Sequence, residues 1–284
     1  MCQWPRRRDA LAISNFLRQH DLVQVQWVTL SSANLRNTPA RHSTHSETRV
    51  TAQDTSGAGA EGLPLVFPGP MAIVGGGAVD PDLLRELAAR GVALVGADGG
   101  GDAIGAAGLV PAAIIGDLDS LQDRAGWAAR TRVIHLPEQI TTDFQKVLRS
   151  TRAPVTLALG MTGKRLDHTL AALSAVLEFA PTRKLLLVDE VDVALAVVGP
   201  VRFAAGVKER VSIHPLVPIG FARSTGLLYP LDGLTLAPGA LLGTSNEGVG
   251  GEVEIVPDGA SAGTPYLLIL HKARLWDLIG IAQA

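Results

Sequence analysis

Carboxylate residues follow three short apolar segments of this sequence. Asp98 follows one segment, Asp117 and Asp119 follow the next, and Asp143 comes shortly after a third. Carboxylates gathered in one place repel each other unless a cation lies among them, and Mg²⁺ prefers oxygen ligands of this kind. The pattern therefore predicts a magnesium site. For a D-x-D pair taken alone, the alternative is a turn or helix cap in which the carboxylates accept backbone N–H groups.

A second polar cluster extends from residue 160 to residue 169 and places two cations, an acid and an imidazole in a loop that opens a predicted helix. Arg165 is suited to clamp phosphoryl oxygens in bidentate fashion, and Lys146 to act as a point charge. Simpler roles stay open for the others. Asp167 can be a helix cap, Lys146 a solvated side chain, and His168 either a base or a histidine bonded to a neighbouring carboxylate.

Two glycine runs, Gly75–Gly77 and Gly99–Gly101, each follow a predicted strand. Each run can be a tight turn, and each can also let backbone N–H groups approach a phosphate closely. The sequence contains no G-x-x-x-x-G-K-[ST] motif, which excludes a P-loop NTPase.

The elements that must position these residues alternate between short apolar segments and helical ones from Leu65 onward, which is typical of a parallel sheet in an α/β domain. Strands are predicted over 71–74, 92–95, 112–115, 133–136, 155–159 and 184–188, and helices over 81–90 and 168–179. In the second helix, the spacing predicts one buried face made of Leu170, Leu173, Val176 and Leu177. Ligands bind at the carboxyl ends of strands in such sheets, where the acids are expected.

The chain divides into three parts by composition. Residues 1–64 are polar and of low complexity, which predicts a poorly structured extension. Residues 65–190 form the predicted α/β domain. In residues 191–284, apolar segments of four to seven residues are separated by Gly and Pro, which predicts an antiparallel β domain.

Composition excludes several classes of partner. The 284 residues are 47% hydrophobic and carry a net charge of −2, so no basic surface is available to collect nucleic acid. No apolar run approaches the roughly 20 residues of a membrane-spanning helix, so no membrane partner is expected. The only cysteine is Cys2, which fits a reducing compartment, and a cytoplasmic location is expected.

Six segments in this order resemble the thiamine pyrophosphokinase family: ADGGGDAI (97–104), GDLDSL (116–121), TTDFQKVL (141–148), GKRLDHTLAAL (163–173), STGLLYPL (224–231) and GTSNE (243–247). The resemblance implies an α/β domain followed by a β-sandwich domain. It also implies a homodimer with active sites where the subunits meet. The reaction implied is attack of the thiamine hydroxyl on the β-phosphorus of Mg·ATP, which releases AMP.

The resemblance also assigns roles by position. The implied catalytic and metal-binding acids are Asp117, Asp119 and Asp143, with Arg165 as a catalytic cation. The implied nucleotide and phosphate contacts are Asp98, Gly99, Gly100, Lys146, Asp167 and His168. The implied thiamine contacts are Tyr229, Thr244, Ser245 and Asn246.

The sequence departs from the family pattern in three places. Gly101-Asp102 replaces the usual Ala-Asn pair, and Lys164 replaces the second of two glycines before Arg165. Glu138-Gln139-Ile140 only partly keeps the usual acidic run of the Asp-Gln-Asp type. Three other functions are alternatives: a pyrophosphokinase acting on another hydroxymethyl heterocycle such as a pterin, a nucleotide-binding module without catalysis, and a D-x-D phosphatase. The loop over 244–246 and Tyr229 favour thiamine among these.

Overall fold

The computed structural model describes residues 62–284. The extension predicted over residues 1–64 therefore lies outside the described residues, apart from its last three. Within the described part, no helix has both the length and the apolar character needed to cross a membrane.

The first half of the described chain alternates strands and helices. Its strands are β1 (Leu65–Val66), β2 (Met71–Val74), β3 (Ala93–Ala97), β4 (Ala113–Gly116), β5 (Arg132–His135), β6 (Thr151–Arg152), β7 (Thr156–Leu159) and β8 (Leu185–Val188). Its helices are α1 (Pro81–Ala89), α2 (Gly100–Ala106), α3 (Arg124–Ala128), α4 (Asp143–Ser150) and α5 (Leu166–Phe179). The predicted strands and helices are confirmed here to within two residues at each end.

The second half consists almost entirely of strands. These are β9 (Asp192–Val198), β10 (Val201–Pro215), β11 (Ile219–Thr225), β12 (Thr235–Leu236), β13 (Gly243–Pro257) and β14 (Pro265–His271), and α6 (Leu275–Gln283) follows them. Two short 3₁₀ turns, Gly259–Ser261 and Lys272–Arg274, flank β14.

Twelve of these strands form one hydrogen-bonded ladder in the order β12-β11-β13-β10-β14-β9-β8-β7-β2-β3-β4-β5, and β1 pairs with β6 in a separate two-stranded sheet. The pairs from β8 to β5 are parallel. From β8 to β9 and onward to β12 every pair is antiparallel. The predicted change from parallel to antiparallel pairing near residue 191 is therefore present. Because all these strands share one ladder, the predicted division into an α/β domain and a β-sandwich domain stays a prediction.

Helix α1 shows why the local predictions succeed. Asp80 caps its N-terminus by accepting the Asp82 N–H at 2.9 Å, and Pro81 occupies the first turn, where its missing N–H costs nothing. Leu83, Leu84 and Leu87 are buried against the sheet, as their spacing predicts.

Helix α5 corrects the sequence prediction. Of the predicted face, Val176 is buried and Leu173 is partly buried against the core, whereas Leu170 is 58% exposed; the other buried residues of the helix are Ala172 and Ala175. The helix is apolar on more than one side, so spacing alone does not identify the inner face. The small alanine side chains let the helix lie close to the sheet, and the predicted Leu face points partly to solvent.

Candidate active site

Three carboxylates lie together at the carboxyl ends of the parallel strands, as the sequence predicts. Strand β3 ends just before Asp98, β4 ends just before Asp117, and α4 begins at Asp143. Strands β3 and β4 are adjacent and parallel, so their carboxyl ends share one edge of the sheet. One carboxylate oxygen from each of these three residues lies within 4.8 Å of the other two. We call these three residues the acid cluster.

Glycines allow the acid cluster to be this compact. A Cβ on Gly116 would lie 2.9 Å from Asp98 Cβ and 3.0 Å from Asp143 Oδ1, closer than ordinary contacts allow. A Cβ on Gly100 would overlap the carbonyl oxygen of Val74 at the end of β2. Gly100 therefore allows the start of α2 to lie close to the end of β2. Its predicted role in phosphate binding stays a prediction.

Asp98 is the most buried acid of the cluster, with 6% of its surface exposed. Its Oδ2 accepts the Ser120 N–H at 3.2 Å, whereas its Oδ1 is buried and has no hydrogen-bond partner among the described residues. Burial raises the pKa of the Asp98 carboxyl, and the nearby charge of Asp143 adds to the rise, although the Gly99 N–H and Ser120 oppose it. An unpartnered buried carboxylate oxygen is costly and rare, so Asp98 Oδ1 is a candidate ligand atom for a cation.

Lys146 is the cation of the acid cluster. Its side chain is only 2% exposed, and Nζ lies 3.0 Å from Asp143 Oδ1 and 3.4 Å from Asp117 Oδ2. Burial lowers the pKa of this ammonium, but the hydrogen bond and charge of Asp143 and the charge of Asp117 outweigh burial, so the pKa lies above its ordinary value. The alternative of a solvated Lys146 is therefore wrong, and this ammonium stays charged inside the site.

Asp117 is held in its ionised form. Burial raises the pKa of its carboxyl, but hydrogen bonds from Gln139 and the Asp119 N–H, together with the charge of Lys146, bring the pKa below its ordinary value. Gln139 Nε2 donates to Asp117 Oδ2 at 2.9 Å. Gln139 lies in the segment Glu138-Gln139-Ile140 but was not predicted as a site residue, because its hydrogen bond to Asp117 spans 22 residues of sequence.

Asp119 lies beside the acid cluster without joining it. Its side chain is exposed and accepts the Ser120 hydroxyl at 2.9 Å, and its backbone N–H donates to Asp117 Oδ1 at 3.4 Å. Leu118, between the two acids, has a positive φ of 63°, so this turn is not the extended one on which both carboxylates were expected to point the same way. The predicted role of Asp119 as a metal ligand stays a prediction.

The acid cluster fits a divalent cation. It offers carboxylate oxygens from three residues at mutual distances that one ion can bridge, and the unpartnered Asp98 Oδ1 supplies a ligand atom with no other bond. Lys146 neutralises part of the negative charge. The negative charge that remains on the three carboxylates can be compensated by Mg²⁺.

The cluster over 160–169 lies at the carboxyl end of β7, three strand positions from β4. Arg165 and Asp167 are both exposed and form an ion pair, with Nη2 and Oδ2 separated by 2.6 Å. Asp167 Oδ1 also accepts the His168 N–H at 2.9 Å, but α5 has Arg165 at its N-cap and no side-chain cap hydrogen bond, so the helix-cap role considered for Asp167 is wrong. Lys164 Nζ donates to the carbonyl of Gly76 at 3.0 Å, which ties this loop to the glycine turn after β2.

The predicted thiamine loop opens β13. Ser245 adopts a positive φ of 58°, and its N–H donates to Ser212 Oγ at 3.0 Å. Asn246 is fully buried, with Oδ1 accepting the Tyr229 N–H at 3.1 Å and Nδ2 donating to the Tyr229 carbonyl at 2.7 Å. The structure therefore brings Tyr229 and Thr244–Asn246 together, and the Asn246 amide binds the loop to the Tyr229 backbone.

This loop and the acid cluster lie far apart along the ladder. Strand β13 is eight strand positions from β4. At the usual spacing of ~4.8 Å between strands, this separation is on the order of 40 Å along the sheet. The ladder does not place these two groups side by side within one chain.

Asp102 is a second residue that sequence analysis did not assign to the site. Its Oδ2 accepts the Gln122 N–H at 2.7 Å, and its Oδ1 accepts the Trp127 indole N–H at 2.8 Å. Asp102 thus offers two acceptor oxygens at a position where the Asn of the family pattern would offer one. Asp102 fixes the end of the loop that carries Asp117 and Asp119.

Replacing Asp102 with Asn is expected to destabilise the protein by about 1–3 kcal/mol, because one of the two donors would face an amide NH₂ and lose its acceptor. Urea unfolding measures this cost. In a Trp127→Phe background the cost should shrink, because one donor is already gone, whereas strictly additive costs would show that the two residues do not interact.

Comparison with known proteins supports the resemblance. Residues 84–187 match the model of the thiamin pyrophosphokinase catalytic domain, a region that contains the whole acid cluster and Lys146. The chain is 30% identical over 152 residues to thiamin pyrophosphokinase 1 of Caenorhabditis elegans; the match covers 48% of this chain and 62% of that relative. The chain thus spans less than two thirds of this curated relative.

Solved structures share the fold. Thiamin pyrophosphokinase from Candida albicans superposes with a TM-score of 0.60 at 14% identity, over 72% of this chain and 89% of that one. The enzyme from Geobacillus thermodenitrificans gives a TM-score of 0.57 at 24% identity, over 73% of this chain and 97% of that one. The fold with mixed parallel and antiparallel strands is therefore that of thiamin pyrophosphokinases, and the resemblance found in the sequence is confirmed.

Proposed function

We propose that this chain transfers the pyrophosphoryl group of ATP to the hydroxyl of thiamine and releases AMP. The observation that carries the proposal is the acid cluster with the buried Lys146 and the unpartnered oxygen of Asp98. This group lies within the region that matches the catalytic-domain model.

Asp98, Asp117 and Asp143 are the residues that would hold Mg²⁺, with Asp119 on the adjoining turn within the same loop. The ion supplies positive charge that neutralises the triphosphate. Phosphoryl-type transfers depend mainly on such neutralisation and on positioning of the reactants. Lys146 contributes a fixed charge, because its neighbours hold it in place from two sides.

Arg165, Asp167 and His168 are proposed as contacts to the nucleotide, together with the turn at Gly99 and Gly100. Support comes from their place at the same carboxyl edge of the parallel strands as the acid cluster. The exposed guanidinium of Arg165 can exchange its partner Asp167 for phosphate oxygens at little cost, since exposed ion pairs contribute only about 0–1 kcal/mol.

Residues 65–190 are proposed as the nucleotide- and metal-binding domain, and residues 191–284 as a β-sandwich domain that binds thiamine. The switch to antiparallel pairing between β8 and β9 supports a boundary there. Tyr229, Thr244, Ser245 and Asn246 are the proposed thiamine residues, of which the fully buried Asn246 would act by holding the Tyr229 backbone in place. Their joint placement through the Asn246 amide supports a single recognition surface.

A homodimer is proposed to complete the site. The thiamine loop and the acid cluster are eight strand positions apart in one chain, so a second copy is the natural source of the missing half. Exposed apolar side chains border both halves: Leu166 (72% exposed) and Leu170 on α5, and Leu228 and Val249 near the thiamine loop. Surfaces of this kind favour association between protein subunits. A reducing cytoplasm remains the proposed location, supported by the single cysteine of the sequence.

Replacing Ser245 with Ala is expected to raise the KM for thiamine several-fold and to change the KM for ATP little, because the hydroxyl belongs to the proposed thiamine loop. Steady-state kinetics with each substrate varied in turn measures both constants. Ser174→Ala, at an exposed serine of α5, is the matched control. A larger change in the KM for ATP would indicate that this loop contacts the nucleotide and not thiamine.

A comparison of alcohol substrates tests the proposed function. Purified protein is supplied with Mg·ATP and either thiamine or a hydroxymethyl pterin, and kcat/KM is measured for AMP release. We expect release with thiamine and little with the pterin. The reverse preference would keep the chemistry and reject thiamine, and release of phosphate without any alcohol would favour a phosphatase.

A further inference from the structure

A cavity lies near the amino ends of the parallel strands β7 and β8, at the opposite end of the strands from the acid cluster. It is bordered by the segments that precede β7 and β8, the end of β9 and the end of α6, and it has a volume of about 450 Å³. This volume falls within the range of about 300–1,000 Å³ that small-molecule sites occupy. The acid cluster lies at the carboxyl ends of the parallel strands, so this cavity is separate from it.

The cavity wall combines apolar side chains with positive charge. Leu195, Val197 and Val201 contribute to the apolar part. Among the described residues that line the wall, only Arg183 and Lys184 are charged, and both are cations. The protein as a whole carries a net charge of −2, whereas the charged side chains that line this cavity are both positive. The cavity fits a ligand that has both an anionic group and an apolar body.

Arg183 is the residue that makes this cavity unusual. It is partly buried, and its Nη2 donates to the backbone carbonyls of Leu148 and Thr151, near the end of α4. Arg152 Nη1 donates to the same two carbonyls. Burial, together with the nearby charge of Arg152, lowers the pKa of Arg183 to about 10. Two guanidinium groups thus lie close together, and no carboxylate compensates Arg183 among the described residues.

Helix capping accounts for only part of this arrangement. Cations near the last carbonyls of a helix are favourable, which explains the bonds to Leu148 and Thr151. A guanidinium has five N–H donors, and the Nε and Nη1 groups of Arg183 have no acceptor in the described part of the chain. These donors and the uncompensated charge remain available to an anion, which guanidinium groups bind strongly.

We propose that this cavity binds a small anionic amphiphile, with its phosphate or carboxylate on Arg183 and Lys184 and its apolar body against β9 and the start of β10. The site is independent of the catalytic proposal. It uses a different edge of the sheet and none of the residues assigned to the nucleotide, the metal ion or thiamine.

Calorimetric titration of the full chain with hexyl phosphate tests the proposal, with hexanol and inorganic phosphate as the two partial probes. We expect hexyl phosphate to bind at least tenfold more tightly than either partial probe. Arg183→Met should weaken its binding tenfold or more. Because Arg183 also caps α4, Lys184→Glu provides a second variant that places a negative charge in the wall without removing the cap.

Two controls locate the bound molecule. Lys208→Glu makes the same charge change at an exposed position of β10 that does not line the cavity, and Arg165→Met removes a cation of the catalytic site; both should leave hexyl phosphate binding unchanged. The proposal is overturned if hexyl phosphate does not bind, if either partial probe binds as tightly, or if Lys184→Glu has no effect. Loss of binding in Arg165→Met would also overturn it, since the molecule would then lie in the catalytic site.

Discussion

Replacing Asp117 with Asn is expected to lower turnover by roughly 10³-fold or more with the fold intact, a loss of about 4 kcal/mol of transition-state stabilisation. Asp117 is the acid that Gln139, Lys146 and a backbone N–H together keep ionised. Asparagine preserves its shape but removes the charge that a divalent cation needs. Steady-state kinetics with Mg·ATP and thiamine measures the loss, and circular dichroism checks the fold.

Two further variants sharpen this experiment. Asp82→Asn changes a highly exposed acid on α1 and should leave turnover unchanged. Asp119→Asn tests the sequence-based ligand set, and we expect it to abolish turnover as well. Full activity in Asp119→Asn would leave the metal site to Asp98, Asp117 and Asp143 alone, and full activity in Asp117→Asn would remove the acid cluster from the mechanism.

Replacing Lys146 with Met is expected to destabilise the protein by roughly 3 kcal/mol without Mg²⁺, because three close carboxylates lose their internal cation. The same variant should become more stable when Mg²⁺ is added, by a larger margin than the parent protein, since the ion takes over part of the compensation. Turnover should also fall. Urea unfolding with and without Mg²⁺ measures both stability effects.

Arg149→Met is the matched control for Lys146→Met. Arg149 lies on the same helix and also forms an ion pair, with Glu178, but both partners are about half exposed. Loss of such a pair costs at most about 1 kcal/mol. If the two variants unfolded at the same urea concentration, Lys146 would not be the internal counter-charge of the acid cluster.

Local signals predict much of this fold. The cap at Asp80, the proline at the first turn and the spacing of three leucines define α1, and the short apolar segments between glycines define the parallel strands. The gathering of Asp98, Asp117 and Asp143 also follows from the sequence. Carboxyl ends of adjacent parallel strands share an edge, so acids placed there meet.

Other features depend on tertiary packing that spacing does not encode. Lys146 is buried because α4 packs its side chain against Asp117, 29 residues away, as well as against Asp143 on the same helix, whereas a lysine in a helix is usually solvated. The inner face of α5 contains Ala172 and Ala175, which pack closely on the sheet. The helical period instead placed Leu170 there, and that side chain is exposed. The role of Gln139 comes from one hydrogen bond across 22 residues of sequence, and that of Asp102 from two across 20 and 25 residues, which no local pattern records.

The most direct test of the central claim follows the β-phosphorus of ATP. The protein is incubated with thiamine, Mg²⁺ and ATP labelled at the β-phosphorus, and the products are separated by chromatography. The account predicts that the label moves to thiamine diphosphate while unlabelled AMP forms in equal amount, and that both products require thiamine and Mg²⁺. Label recovered in ADP, with only the γ-phosphate transferred or released, would contradict pyrophosphoryl transfer.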